Sequence, residues 1–259
     1  MDEKETAEAS WDELTIVRID GSRRYKRTDR LIKEEAYRLR VNGNLVHTFA
    51  CTPIDLEELA IGYAFAEGYI ADAGDIQSLA VDSAEREIRL SIEKTGAPLN
   101  GDSPQKKPGA SSLEDDSFSH FSHFSSFSKE AIYTLWETFN QRCSLFHITG
   151  AVHGMALTDG SGILALHEDA ARHNAAAKTI GEMVRKGISP EGKAFIFSGR
   201  LALKIVMMIE RTGVKVLLCH GAGTSDAVRR AESAGITLAG FVRRGYMNIY
   251  THSQRITEA

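Results

Sequence analysis

The chain has 259 residues, 31 Lys and Arg against 35 Asp and Glu, a net charge of -4 and 42% hydrophobic residues. This balance excludes a globally basic nucleic-acid binder and general disorder, and the length suits one large domain or two small ones. No run approaches the ~18 uninterrupted apolar residues of a membrane helix, and Met1 to Glu13 is acidic where a signal peptide is basic and then apolar, so a cytoplasmic protein is expected.

The acidic opening, residues 1–13, reads as a disordered terminus, and residues 14–100 as an N-terminal domain. Glu34 to Thr48 alternates in the manner of strands around Asn42-Gly43-Asn44, which predicts a hairpin. Asp55 and Glu58 have the spacing of a capping box, and Leu56, Leu59, Ala60, Tyr63 and Ala64 recur at helical spacing toward Gly68. Residues 101–128 are rich in Gly, Ser, Lys and Pro and read as a flexible loop or linker before a C-terminal domain at 129–259. Phenylalanines at a spacing of three end that stretch, so it is either a mobile linker or a lid; His120 and His123 within it lack a Cys or carboxylate partner for a metal.

A helix from Lys129 to Arg142 carries Ile132, Leu135, Trp136 and Phe139 on one face. Strands are predicted at Leu145–Thr149 and His153–Leu157, and again after the Thr158-Asp159-Gly160-Ser161-Gly162 turn at Ile163–Leu166. Helix Arg172–Lys186, strand Ala194–Phe197, helix Leu201–Arg211, strand Val214–Leu218, helix Ser225–Ala234 and strand Ile236–Phe241 complete a β-α-β-α-β pattern, which implies a parallel α/β sheet.

Ligands of open α/β sheets bind beyond the carboxyl ends of the strands. Those ends deliver Ser198-Gly199-Arg200, Cys219 to Ser225, and Gly240 to Gly245, where glycines permit close backbone approach and helix N-termini present free N–H groups. Ser233–Thr257 contains Arg243, Arg244 and Arg255 with no carboxylate, and Lys193–Ile209 contains Lys193, Arg200 and Lys204 with none, so a phosphate site is expected at this edge. His167-Glu168-Asp169-Ala170-Ala171-Arg172-His173-Asn174 is the densest polar cluster, in which Asp169 reads as a cap and Glu168 as a ligand or catalytic group. His153, after Thr149-Gly150, could reach the same edge.

Thr52-Pro53, Glu58-Leu59-Ala60-Ile61-Gly62, Glu67-Gly68, Thr149-Gly150 with His153, Glu168-Asp169 with Arg172-His173-Asn174-Ala175 and Lys178, Ser198-Gly199-Arg200, and Gly240-Phe241 with Arg243 and Asn248-Ile249-Tyr250-Thr251 run in order from about Leu31 to Ile256. In these segments the chain resembles the formate dehydrogenase accessory sulfurtransferase family (FdhD). The resemblance implies an α+β protein overall: a cytidine-deaminase-like three-layer C-terminal domain, a smaller β-rich N-terminal domain, and a homodimer. It implies sulfur relay from a cysteine desulfurase to the molybdenum bis(molybdopterin guanine dinucleotide) cofactor before insertion into the formate dehydrogenase apoenzyme, with GDP or GTP as a mimic of that ligand. No nucleic-acid or membrane partner is expected. The cofactor site would draw on His153, Glu168, Arg172, His173, Asn174, Ser198, Gly199, Arg200 and Thr224, with Phe241, Val242, Arg243, Arg244, Gly245 and Tyr246 as its backbone cradle.

The chain departs from the family's pattern in one chemical respect. The family's sulfur-carrying CxxC lies in the loop that corresponds to Gly101–Ser128, and that loop has no cysteine here. Ala171 and Ala177 stand where the family has Gly and Asp, and Gly223 precedes Thr224 where Pro is usual. Cys51, Cys143 and Cys219 fit neither a disulfide framework nor a metal knuckle. Cys219, beside His220 at a strand end, is the one persulfide candidate, against its being an inert buried thiol. A sulfurtransferase and a non-catalytic molybdenum-cofactor chaperone both remain open. A zinc deaminase would need H-x-E and P-C-x-x-C, and the chain has neither.

Overall fold

A computed structural model describes residues 10–93 and 126–258. The 101–128 stretch lies almost wholly outside the described residues, as do His120 and His123.

Strands β1 (Trp11–Asp20) and β2 (Arg23–Ile32) form an antiparallel two-stranded arm paired along its whole length. Trp11 to Glu13 were expected in a disordered terminus; they are strand instead, with Arg30 over the Trp11 ring at 4.5 Å and paired with Glu13. A second sheet has the order β4-β3-β6-β5, from β3 (Glu35–Val41), β4 (Asn44–Cys51), β5 (Ile76–Asp82) and β6 (Glu87–Ile92). Its first hairpin turns at Asn42 (φ 48°) and Gly43 (φ 82°), the residue pair that tolerates two successive left-handed conformations.

Helix α1 (Leu56–Glu67) covers this sheet and ends at Gly68 in the left-handed conformation. The expected capping box does not form. Asp55 has φ 51° and makes no cap bond; its carboxylate reaches His167, and that of Glu58 reaches Arg185. Tertiary partners outcompete the local cap.

The C-terminal half is a six-stranded sheet of order β13-β12-β11-β10-β8-β9, built from β8 (His153–Thr158), β9 (Ile163–Asp169), β10 (Ala194–Phe197), β11 (Val216–Cys219), β12 (Thr237–Arg243) and β13 (Tyr246–Thr251). Strands β10, β11 and β12 are parallel, as the β-α-β-α-β pattern predicts, while β8, β9 and β13 join antiparallel, so the sheet is mixed.

Alternation along the strands sorts the sheet's two faces. Phe195, Phe197, Leu217 and Leu238 pack toward α4 (Arg172–Arg185), α5 (Leu203–Thr212) and α6 (Ser225–Ser233), whereas Ala194, Ile196, Val216 and Leu218 pack against α2 (Lys129–Arg142). Ser128 caps α2 by accepting the N–H of Ala131, and β7 (Phe127–Ser128) pairs with β14 (Ile256–Thr257).

Leu145–Thr149 was expected as a strand and is the short helix α3 (Ser144–Thr149). The apolar run was ambiguous over so few residues, and a distant group decides it: the Glu168 carboxylate accepts the N–H groups of Leu145 at 2.8 Å and Phe146 at 2.9 Å.

The two sheets share one hydrophobic cluster, in which Leu39, Leu59 and Ile88 are continuous with Ile180, Phe195 and Leu217. Helices α1 and α4 cross inside it at Gly62 and Gly181. A Cβ on Gly62 would lie 1.8 Å from the Ala177 carbonyl oxygen, and one on Gly181 would lie 1.9 Å from that of Glu58. Among the described residues no helix is long and apolar enough to cross a membrane.

Candidate functional site

Because β10, β11 and β12 are parallel, the loops that follow them meet at one edge, where backbone hydrogen bonds lace them together. His220 N donates to Phe197 O, Leu201 N to Ala222 O and Thr224 N to Leu201 O, each at 3.0 Å; Gly221 N donates to Gly199 O and Phe241 N to Gly221 O, each at 3.3 Å. The space beside two of the glycines expected to admit a ligand is thereby filled by protein. A Cβ on Gly221 would lie 2.7 Å from Gly199 O, and one on Gly240 would lie 2.9 Å from Gly221 O. Thr224 caps α6 through its hydroxyl, which accepts the Ala227 N–H at 3.3 Å. Ser198 Oγ accepts the Gly154 N–H at 2.9 Å and so ties the end of β10 to β8.

The polar cluster at 167–174 divides into scaffold and site. Glu168, expected as a ligand, is buried and holds α3; burial raises its pKa, opposed by the two N–H groups it accepts. Asp169 pairs with the fully buried Lys178 at 2.7 Å and accepts N–H bonds from Thr52 at 3.1 Å and Ala171 at 2.8 Å. The Asn174 side-chain amide donates to Ala50 O at 2.7 Å and to Asp169 at 3.2 Å, so it clamps the N-terminal sheet rather than facing a ligand. Side chains of Ser, Asn and Asp that satisfy backbone groups locally are a common alternative to function.

Arg172 and His173, at the start of α4, are left toward the edge. The buried Glu168 and Asp169 are engaged elsewhere, and neither Arg172 nor Arg200 forms an ion pair among the described residues. Arg172 Nε is buried without a hydrogen-bond partner. Both guanidinium groups act on His153, whose pKa is lowered by burial and then by Arg172 and Arg200; His173 is lowered by burial, Arg172 and Lys204. Two guanidinium groups that form no ion pair among the described residues thus act on one imidazole, a combination that favours an anion nearby.

His153 and Ser198 also line a cavity of about 540 Å³, together with Trp136, Phe139, Phe146 and His220 among others. His220 stacks on Trp136 with ring centroids 5.3 Å apart and an interplanar angle of 7°. The aromatic wall was not nominated from the sequence. Trp136 and Phe139 pack in the core as the helical stripe predicts, buried in the cluster on that face of the sheet, and they also border the cavity, which a stripe does not signal.

Neither Thr224 nor Arg243 is among the cavity's lining residues. The expected cradle is the β12–β13 hairpin. Phe241 there is left-handed (φ 55°) and part-exposed, Val242 is buried with its carbonyl 3.4 Å from His220 Nδ1, and the exposed Arg243 lies over the Tyr246 ring at 5.0 Å. Arg244 is exposed and 3.9 Å from Glu137, and Gly245 turns the chain at φ 74°. His220 thus joins the hairpin to the cavity.

All three thiols are buried. Cys219 donates to the Gly199 carbonyl, and burial pushes its pKa up to about 12 against the N–H of Gly221. Burial likewise lifts Cys51 and Cys143 to about 12. Burial therefore disfavours the nucleophilic thiolate at all three positions.

The sequence model of the FdhD/NarQ family matches residues 32–257. The chain is 29% identical over 240 residues to a protein of Shouchella clausii named "Sulfur carrier protein FdhD", with 88% of this chain and 90% of that one covered. It is 31% identical over 228 residues to the protein of the same name from Listeria innocua, with 84% and 87% covered. In fold it is similar to a crystal structure of a formate dehydrogenase accessory protein from Desulfotalea psychrophila, with a TM-score of 0.78 at 22% identity, covering 96% of this chain and all of that one.

Proposed function

The chain belongs to the FdhD/NarQ family, and from that premise we propose that it is an accessory factor of formate dehydrogenase maturation that holds the molybdenum bis(molybdopterin guanine dinucleotide) cofactor as cargo and carries no sulfur on a thiol of its own. What supports this most is that Arg172 and Arg200, which form no ion pair among the described residues, both act electrostatically on His153, a lining residue of the aromatic cavity, in a chain whose three cysteines are all buried. The two cations suit the diphosphates of the cargo. The layered sheet is compatible with the cytidine-deaminase-like architecture that the family resemblance implies.

The relay reading, with a cysteine desulfurase as donor, needs a reactive thiolate. It would be favoured by mass spectrometry that finds added sulfur on Cys51, Cys143 or Cys219 after incubation with a desulfurase and cysteine; the expected result is no mass change. Calorimetry with GDP tests the cargo: saturable binding that weakens with salt is expected, and no binding by GDP or GTP would remove the site.

The reading includes a homodimer. Leu14, Val17 and Ile19 of the β1–β2 arm are exposed, and an isolated two-stranded ribbon is marginal in water, which favours a covering partner. Light scattering that reports a monomer at micromolar concentration would remove this part.

A further inference from the structure

We propose that the far end of the β1–β2 arm is a docking site for an acidic protein surface, held by the cations Arg18, Arg23, Arg24 and Lys26 around Val17 and Ile19. The proposal rests on the accessory reading above, in which that surface belongs to the formate dehydrogenase apoenzyme that receives the cargo.

Charge along the arm is uneven. Toward its root the cations are neutralised locally: Arg27 pairs with Asp29 at 2.8 Å, Arg30 with Glu13 at 3.3 Å and Lys33 with Asp12 at 3.4 Å. From Val17 to Lys26 four cations face the single carboxylate of Asp20, and none of the four forms an ion pair among the described residues. In a chain of net charge -4 this end has the opposite sign to the whole, and such a local field steers an anionic partner.

Exposure is uneven in the same way. Ile16, Arg27 and Asp29 are part-buried, whereas every residue from Val17 to Lys26 is exposed, and Ile19 at 68% is the most exposed large hydrophobic among the described residues. Arg24 stands opposite Ile19 and Lys26 opposite Val17, so two cations and two aliphatic side chains share one face of the ribbon. Apolar contact bordered by charge suits a protein partner. Nucleic acid would engage the cations and leave Ile19 uncovered, and an anionic bilayer would repel the rest of an acidic chain. A second copy of the same face offers these cations no carboxylate.

The arm also stands where a receiver is needed. Strand β2 lies against α3, whose Phe146 lines the cavity beside His153. A protein held on the arm is therefore held near the edge at which the cargo is bound.

Charges on an exposed strand also discourage edge-to-edge pairing, an end that glutamate would serve equally well. Charge reversal in the full chain separates the two roles. By surface plasmon resonance, Arg24→Glu/Lys26→Glu should slow association with the purified apoenzyme about tenfold, and raising salt from ~50 mM to ~300 mM should slow the parent likewise. Arg24→Lys should keep the parent's rate, and Ile19→Ser should speed dissociation. GDP affinity and light-scattering mass should stay unchanged in all three. The proposal is overturned if the double reversal associates as fast as the parent, or if its loss comes with a changed light-scattering mass. It also falls if the same cations bind phosphatidylglycerol vesicles or duplex DNA more tightly than the apoenzyme. A parent that binds GDP but not the apoenzyme removes the docking site together with the client, whereas arm-dependent apoenzyme binding without GDP binding removes the cargo site and leaves the arm standing.

Discussion

His167 and Asp55, 112 positions apart in the chain, meet at 2.8 Å through the imidazole Nδ1, and the same ring reaches Glu182 at 2.8 Å through Nε2. The histidine joins the loop before α1 to β9 and α4. Burial opposes its charge, but the hydrogen bonds to Asp55 and Glu182 outweigh it and raise its pKa to about 9. The hydrogen bond from His167 draws Glu182 down to about 2 against burial, with help from Lys186.

Stability should therefore fall on the alkaline side. A group whose pKa is raised on folding contributes fully below its unfolded value, near 6.5, and loses that contribution as pH rises through about 9. Glu182 works in the opposite sense: its contribution is present above about 4.5 and fades as pH falls toward 2. Urea unfolding at pH 6.5 and pH 9.5 is expected to show a lower midpoint at the higher pH. His167→Gln should cost about 1.5–3 kcal/mol at pH 6.5, by leaving the part-buried Asp55 and Glu182 carboxylates without their shared partner, and should flatten the alkaline loss. An alkaline loss of the same size in the variant would show that His167 is not its source.

Arg200→Ala should weaken GDP binding by roughly 1.5–3 kcal/mol, the range for hydrogen bonds to charged groups. Arg243→Ala gives the comparison. Both arginines are exposed and outside the cavity lining; Arg200 follows Ser198, which lines it, whereas Arg243 lies over Tyr246 in the expected phosphate cradle. A calorimetric loss for Arg200→Ala with little for Arg243→Ala places the phosphates beside His153; the reverse places them on the hairpin.

Periodicity carried most of the fold into view. The α2 stripe, the turn between β8 and β9, and the alternation from β10 to β12 appear where the sequence predicts them, because each obeys local rules of spacing and capping. What escaped was set by distant partners. Glu168 converts Leu145–Thr149 into helix from 23 positions away, and His167 takes the Asp55 carboxylate from a capping box. In the site, His153, Ser198, Arg172 and Arg200 were legible as polar residues at strand ends. Trp136 and Phe146 were not, since an aromatic beside a cavity and one in a core have the same sequence signature.

Thiol chemistry should be silent in the folded chain. With Cys51, Cys143 and Cys219 buried and each pushed up to about 12, Ellman's reagent at pH 7.5 should react with none of them quickly and with all three once denaturant is added. Cys219→Ala should leave activation of a formate dehydrogenase intact in cells that lack their own accessory protein. One fast thiol in the native chain would return sulfur relay to consideration and name its carrier.

The crossing of α1 on α4 makes the most severe claim on a single methyl group. At Gly62 and Gly181 the opposing atoms are backbone carbonyl oxygens, 1.8 Å and 1.9 Å from a notional Cβ, so no rotamer change can relieve the contact and the helices themselves must separate. Separation would strain the hydrogen bonds from Lys178 to Thr52 O and from Thr52 N to Asp169, which join the same two halves of the chain. Gly181→Ala should thus cost about 3 kcal/mol or more, at the upper end for overpacking, although alanine is the better helix former by about 1 kcal/mol. Because Arg172 lies earlier on α4, a shift of that helix should also weaken GDP binding by the chains that remain folded. Calorimetry and denaturant unfolding on the same preparation check both effects, and a Gly181→Ala chain as stable as the parent would mean that the two helices do not pack this closely.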